Sequence, residues 1–276
     1  MTYAERFEVK PGQALKLDDI DPAFTDHRGS HKGAAEELDR DRVKLRSLQE
    51  LFYANSRFSL LICLQGLDAG GKDGTIAHIL GAMNPQGCGV VAFKEPTREE
   101  LDHDFLWRIH RHTPSLGRVT IFNRSHYEDL LIVRVHETVP EAVWSNRYEQ
   151  INAFESALVD GNTHILKFFL HISKKEQLRR FKQRLDDPAK KWKISESDYK
   201  ERPFWGDYKR AYEDVLSRCS TKRAPWFVIP SDHKWFRNLT IGRIVVEHLE
   251  GLKMTFPRPS VDIEHIRREY HAAKRR

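Results

Sequence analysis

Phe58-Ser59-Leu60-Leu61-Ile62-Cys63-Leu64-Gln65-Gly66-Leu67-Asp68-Ala69-Gly70-Gly71-Lys72-Asp73-Gly74 is the stretch that decides the fold of this 276-residue chain. Its first part, 58–64, is a nearly unbroken apolar run that stops just before a glycine, the pattern of a strand buried on both faces. Gly66-x4-Gly71-Lys72 then fits a phosphate-binding loop. In such a loop the glycines let the backbone wrap a phosphate with its N–H groups, and the start of the next helix adds favourable partial charge. Lys72 is placed to neutralise a phosphoryl group in transfer. The residue after the lysine is Asp73, where Ser or Thr is usual. Two carboxylates, Asp68 and Asp73, thus sit inside a cradle for anions, which makes sense with a divalent cation between acid and phosphate. Asp68 is the expected ligand of Mg²⁺, or of Mn²⁺ in its place. Asp73 also suits a cap on the following helix.

Outward from this loop, strands and helices alternate. Upstream, the 1–30 segment is punctuated by Pro11-Gly12, Asp21-Pro22 and Arg28-Gly29 and reads as an extended arm. Over 34–55, Leu38, Val43, Leu45, Leu48, Leu51 and Phe52 recur at helical spacing among charges, giving a long amphipathic helix. Downstream, helices are expected over 75–83, 98–112, 146–159 and 241–252. Strands are expected over 89–93, 118–122, 163–172 and 226–229. Helical stretches near 175–185 and 207–216 lie in a basic segment, and the tail after Pro257 is polar, a helix or a frayed end. Alternation of this kind implies βαβ units and a parallel sheet covered on both faces, an α/β fold. The expected division is an arm and helix over 1–55, a core over 56–255 with an insertion at about 174–210, and a basic tail over 256–276.

The third strand runs into Phe122-Asn123-Arg124-Ser125-His126-Tyr127-Glu128-Asp129. In a P-loop enzyme such a strand end lies beside the phosphate loop and normally supplies an acid for Mg²⁺; here the strand-end residue is Asn123, with acids one turn on at Glu128 and Asp129. Arg124 is suited to grip phosphate bidentately. Lys94, in Lys94-Glu95-Pro96-Thr97 after the second strand, is placed to reach an acceptor phosphate. His126 and His136 read as structural.

Composition narrows the class. The chain is 39% hydrophobic and 31% charged with a net charge of +6, ordinary for a globular protein. Between Lys174 and Arg210 stand 13 Lys/Arg against 7 Asp/Glu, a local surplus equal to that of the whole chain, which points to a polyanionic partner. Residues 1–10 mix charges from the start, and no apolar run approaches the roughly 18 residues of a membrane span. Cytoplasmic location and no membrane partner are therefore expected. Cys63, Cys88 and Cys219 have no metal spacing and read as reduced thiols.

Taken together, Gly66 to Gly74, Phe93-Lys94-Glu95-Pro96-Thr97, Phe122 to Asp129 and Arg202-Pro203-Phe204-Trp205 resemble the family 2 polyphosphate kinases over roughly residues 30–255. The resemblance implies a P-loop, thymidylate-kinase-like three-layer α/β/α sandwich with a parallel five-stranded sheet and a helical lid. It implies phosphate transfer between inorganic polyphosphate and nucleotides, with Asp68 on Mg²⁺, Lys72 on the phosphoryl group and Arg124 on the reacting phosphates. Glu128 would orient the acceptor or a metal-bound water. Gly66, Ala69, Gly70, Gly71, Asp73, Gly74, Thr75, Lys94 and Asp129 complete the expected phosphate- and nucleotide-binding set. The lid would be the basic segment, with Arg179, Lys182, Arg184, Lys190, Lys191 and Lys193 facing the donor. Asn123, where members restricted to nucleoside diphosphates carry Asp, is similar to the class III members, which accept both AMP and ADP. A neutral amide repels a dianionic monophosphate less than a carboxylate does. Relatives of this kind are commonly dimers or tetramers, so a homo-oligomer is expected.

Other readings remain open at this level. An ATP-dependent nucleotide or small-molecule kinase explains the loop, but usually keeps Ser or Thr after the lysine. A nucleic-acid-binding P-loop protein would stack bases on Trp192, Trp205 and their aromatic neighbours, although Tyr199, Phe204, Trp205, Tyr208 and Tyr212 fit helix packing equally well, and no nucleic-acid partner is expected. A non-catalytic polyphosphate sensor would not need Asp68, Lys72 and Arg124 together.

Overall fold

The computed structural model describes residues 1–26 and 31–275; the Arg28-Gly29 pair lies outside them. Five strands, β1 (Ser59–Gln65), β2 (Cys88–Ala92), β3 (Val119–Asn123), β4 (Thr163–His171) and β5 (Trp226–Pro230), form one sheet in the order β2-β3-β1-β4-β5. Every neighbouring pair is parallel, with Leu60 opposite Val119 on one side and His164 on the other. From central β1 the chain crosses to the edge strand β2, returns to β3, then passes to β4 and β5. That reversal leaves a crevice at the carboxyl end of β1, where open α/β sheets bind their ligands.

Strand alternation sorts the helices into two layers. Leu60, Ile62 and Leu64 share a core with α2 (His31–Asn55), α3 (Lys72–Leu80) and α12 (Lys234–Gly251), through Leu45, Phe52, Ile79, Ile241 and Val245. Leu61 and Cys63 face the opposite layer, with α6 (Glu128–Val135), α8 (Arg147–Asp160) and α11 (Trp205–Arg218). Each fully buried Leu or Ile contributes on the order of 1.5–3 kcal/mol, so β1, buried along its whole length, is a rigid base for the loop that follows it. The expected three-layer α/β/α arrangement is present.

Several expectations change. The first residues are not a loose extended arm. Helix α1 (Tyr3–Phe7) docks on α12, where Glu247 accepts from the N–H groups of Tyr3 and Ala4. The Val9 N–H then bonds the Trp226 carbonyl at 2.8 Å and Glu8 bridges Phe227 in antiparallel fashion. The segment therefore covers the open edge of β5, which would otherwise present unpaired backbone groups. The helix expected over 98–112 is two short ones, α4 (Arg98–Leu101) and α5 (Trp107–His110). Between them the Asp104 carboxylate accepts from the Leu106 N–H at 3.0 Å, a local turn that competes with helix.

Helix α6 and the short α7 (Glu141–Trp144) arise where no helix was expected, and α12 begins at Lys234, ahead of the 241 expected. The basic segment comprises α9 (Lys174–Asp186), a 3-10 turn at Lys191–Lys193, α10 (Glu196–Lys200) and a 3-10 turn at Arg202–Phe204 leading into α11. The tail forms α13 (Ile263–Ala273), which buries none of its residues. No helix among the described residues is long and apolar enough to cross a membrane.

Candidate active site

The loop after β1 takes its shape from a few forced contacts. The Gly70 N–H bonds the Leu67 carbonyl at 2.9 Å, and a Cβ on Gly70 would meet that oxygen at 2.8 Å. Gly71 has φ +112°, a conformation side chains rarely adopt, and a Cβ there would fall 1.8 Å from Nη1 of Arg237. The first backbone bond into α3 is from the Thr75 N–H to the Gly71 carbonyl. The N–H groups of Lys72, Asp73 and Gly74 belong to the helix's first turn and have no intrahelical partner, as an anion-binding helix start requires. Asp73 does not cap the helix. Gly71 holds the N-cap position, and the Asp73 carboxylate instead accepts from Asn123 Nδ2 at 3.1 Å and faces Lys193 at 3.8 Å.

The end of β3 is fastened beside this loop. The Arg124 N–H donates to the Leu64 carbonyl at 3.1 Å, in a left-handed backbone turn of φ +63°. Its guanidinium then reaches Asp68 at 3.1 Å and Glu128 at 3.6 Å. Lys72 Nζ lies 2.6 Å from the Gly66 carbonyl. Burial, and then the neighbouring Arg124 charge, hold the Lys72 ammonium below its usual pKa. Burial pushes the Glu128 carboxyl up, against the pull of Arg124. An anion bound in the loop offsets the repulsion between Arg124 and Lys72.

Under the turn lies a charged network that no pattern in the sequence announces. Lys167, in the middle of β4, is fully buried and donates to Glu155 at 2.5 Å, the Tyr127 hydroxyl at 3.0 Å and the Cys219 carbonyl at 2.7 Å. Glu155 also receives the Tyr127 hydroxyl and bonds His126 Nε2 at 3.0 Å. Lysine and the adjacent His126 hold the Glu155 carboxyl below its usual range despite burial. His126 is thus structural, as expected, and His136 bonds Glu201 at 3.0 Å. Lys167→Met strands a buried carboxylate and is expected to lower stability by about 3–5 kcal/mol, while adding Glu155→Leu recovers most of that loss. Chemical denaturation midpoints of the two variants check this, and an equal loss in both would contradict it.

A cavity of about 580 Å³ opens above the loop. Of the expected residues it collects Asp68, Ala69, Gly70, Gly71, Lys72, Asp73, Gly74, Lys94, Asn123, Arg124, Arg184, Lys190 and Lys193. Gly66 and Glu128 line a smaller adjoining cavity of about 210 Å³, shared with Asp68 and Arg124. Five expectations fail in placement, the first four for clear reasons. Asp129 is turned toward Arg108, at 3.1 Å, and braces the Lys94 backbone through that guanidinium. Thr75 is fully buried under the loop. Arg179 is held by Glu176 and lines a different cavity, and Lys182 points outward to Asp186. Lys191 is not among the residues lining the main cavity.

Three cations absent from the expected set stand in it instead: Arg180, Lys234 and Arg237. Arg180 donates to the carbonyls of Ala69 and Gly70 at 2.8 and 3.0 Å, and to that of Ser231. The aromatics that a base-stacking protein would use are mostly engaged. Tyr199 packs on Phe181, Phe204 on His136 and Tyr212 on Phe169, which removes the main support for nucleic-acid binding; Trp192 alone of the set stays widely exposed, at 76%.

Comparison with known proteins gives the same direction. The family model Polyphosphate kinase 2 (PPK2) matches residues 28–257. An AMP/ADP-polyphosphate phosphotransferase of Meiothermus ruber is 46% identical over 263 residues, covering 95% of this chain and 98% of that protein. An ADP-polyphosphate phosphotransferase of Rhodopseudomonas palustris is 43% identical over 270 residues, with 92% of each covered. The crystal structure of Polyphosphate Kinase 2 from Arthrobacter aurescens TC1 matches with a TM-score of 0.94 and 39% identity, covering 99% of this chain and 97% of that one.

Proposed function

The chain belongs to the polyphosphate kinase 2 family, and from that premise we propose that it transfers phosphate from inorganic polyphosphate to AMP and ADP, giving ADP and ATP. The observation that carries this reading is the lining of the loop cavity, where nine Lys and Arg meet four Asp and Glu around one P-loop. Such a surplus suits a chain of phosphates better than a single nucleotide tail. Asn123, Arg124 and Lys94 stand on the acceptor side.

The chemistry needs little covalent help. An acceptor phosphate oxygen is already ionised, so positioning and charge neutralisation carry the transfer and no strong base is required. The first-turn N–H groups of α3 and Lys72 hold the donor's terminal phosphate. Arg124, steered by Asp68 and Glu128, bridges donor and acceptor. Arg184, Lys190 and Lys193 cover the cavity from the basic segment, which acts as a lid over the core and excludes water that would hydrolyse the donor.

The residues fit Mg²⁺ or Mn²⁺. Among the described residues no group of three or more His, Cys, Asp or Glu forms a ready-made metal cage. Asp68, a single partly exposed carboxylate beside the loop, matches a hard cation held by one acid together with substrate oxygens and water. Such a cation neutralises charge on the phosphate oxygens. A homo-oligomer, dimer or tetramer, is supported by α13, whose Ile263, Ile266 and Tyr270 form an exposed apolar stripe. The enzyme is read as cytoplasmic.

Phosphorus NMR of the protein with long-chain polyphosphate, ADP and Mg²⁺, without ATP, tests the reading. ATP signals should grow as chain-end signals shift, and EDTA should stop both. Accumulation of orthophosphate alone would make the protein a hydrolase and contradict it.

A further inference from the structure

Helix α9 meets the phosphate loop on three consecutive carbonyls. Gln177, 4% exposed, donates from Nε2 to the Asp68 carbonyl at 2.9 Å. Arg180, three residues on and so on the same face of the helix, takes the carbonyls of Ala69 and Gly70. Ala69 itself has φ +59°, a left-handed backbone that a residue with a side chain holds only where its surroundings fix it. The bonds from α9 to the carbonyls of Asp68 and Ala69 supply that constraint.

The orientation of the Gln177 amide is set from its other end. Arg202 donates from Nη1 to Gln177 Oε1 at 2.6 Å and to the Lys174 carbonyl at 3.3 Å. A guanidinium only donates and a carbonyl only accepts, so just one of the two amide orientations satisfies both neighbours. Gln177 stands at the beginning of the basic segment and Arg202 near its end, so this bridge closes the base of the segment on the loop. A trans peptide points its carbonyl and its N–H to opposite sides. With the Asp68 carbonyl drawn to α9, the Ala69 N–H is turned away from that helix contact. Ala69 lines the loop cavity, and its N–H has no acceptor among the described residues.

We propose that Gln177 is a positioning residue for phosphoryl transfer: held by Arg202, it fixes the peptide between Asp68 and Ala69 so that the Ala69 N–H is presented to the donor's terminal phosphate. This rests on the donor reading above. Gln177 lines the smaller adjoining cavity and not the loop cavity, so it acts through the peptide without touching the phosphate. A residue that served only to pack α9 would be indifferent to which end of its amide faces the loop.

Gln177→Glu separates the two roles. The substitution keeps the shape and gives Arg202 an ion-pair partner, but at neutral pH it sets a carboxylate oxygen against the Asp68 carbonyl where a donor stood. With long-chain polyphosphate and ADP, kcat should fall about a hundredfold, the scale of a misplaced reacting group, while KM for ADP and the thermal midpoint stay nearly unchanged. A protonated carboxyl donates again. The kcat of the variant relative to that of the unsubstituted protein should therefore rise as pH is lowered toward the carboxyl range. Gln177→Met, which has no donor at any pH, should show the loss without the rise. Amide NMR adds a readout independent of turnover: tripolyphosphate alone should shift the Ala69 amide signal in the unsubstituted protein and leave it in place in Gln177→Met. An unchanged kcat in Gln177→Glu, an equal loss at every pH, or an Ala69 signal that tripolyphosphate does not move in the unsubstituted protein would overturn the proposal. A shifting Ala69 signal with no polyphosphate-dependent product from the unsubstituted protein would instead overturn the functional reading.

Discussion

Lys72→Ala is expected to lower kcat with polyphosphate and ADP by about a thousandfold while leaving the unfolding midpoint nearly unchanged. The magnitude follows from what one preorganised charge contributes at a developing phosphoryl charge in a site shielded from water, roughly 10²–10³ in rate for a single donor and somewhat more where it carries a full charge. Stability changes little because the Lys72 ammonium is already held below its usual pKa by burial and by Arg124. Its loss relieves that repulsion as it removes the hydrogen bond to the Gly66 carbonyl. Lys72→Arg should not rescue the rate, since a planar fork cannot occupy the place of a compact ammonium between the Gly66 carbonyl and the phosphate. Single-turnover rates and thermal melts of the variants together check this. Near-normal turnover in Lys72→Ala would remove the loop from the chemistry.

Asn123→Asp should cut kcat/KM for AMP at least tenfold more than kcat/KM for ADP. Asn123 donates to Asp73 at 3.1 Å at the rim of the loop cavity. Replacing the amide by a carboxylate removes that bond and sets two like charges side by side, one of them facing the incoming phosphate. AMP brings its only phosphate, a dianion, to that point, whereas ADP can place its terminal phosphate there with the rest of the nucleotide drawn back. A ratio of kcat/KM values isolates the acceptor effect from any general loss caused by the broken Asn123 to Asp73 bond. If both acceptors lose activity equally, Asn123 shapes the loop and does not select the acceptor.

The loop itself was legible because its signals are local. An apolar run ending at glycine, with lysine at a fixed offset, places strand, turn and helix without any knowledge of the rest of the chain. The sheet order was not, because β3 and β4 take their places beside β1 through contacts of long sequence separation. Helix α6 escaped because its first turn is written in the polar residues that serve the site, and its apolar residues 130–133 are too few to display a period. The start of α12 was missed for a similar reason: apolar periodicity becomes clear only after Leu239, and the residues before it include the cations that face the loop. Arg179 and Arg180 are indistinguishable in a sequence. They are neighbours on a helix, about 100° apart around its axis, so although both bond Glu176, only Arg180 meets the Ala69 and Gly70 carbonyls. Lys167 hides inside a strand that otherwise reads as apolar, and its partner Glu155 comes from a different helix.

The most direct measurement is chromatographic: purified protein, long-chain polyphosphate, Mg²⁺ and AMP as the sole nucleotide, sampled over time. ADP should appear first and ATP after it, with Lys72→Ala giving neither. Absence of both from the unsubstituted protein, with AMP unchanged, would contradict polyphosphate-driven phosphorylation of AMP and return the loop to an ATP-dependent kinase.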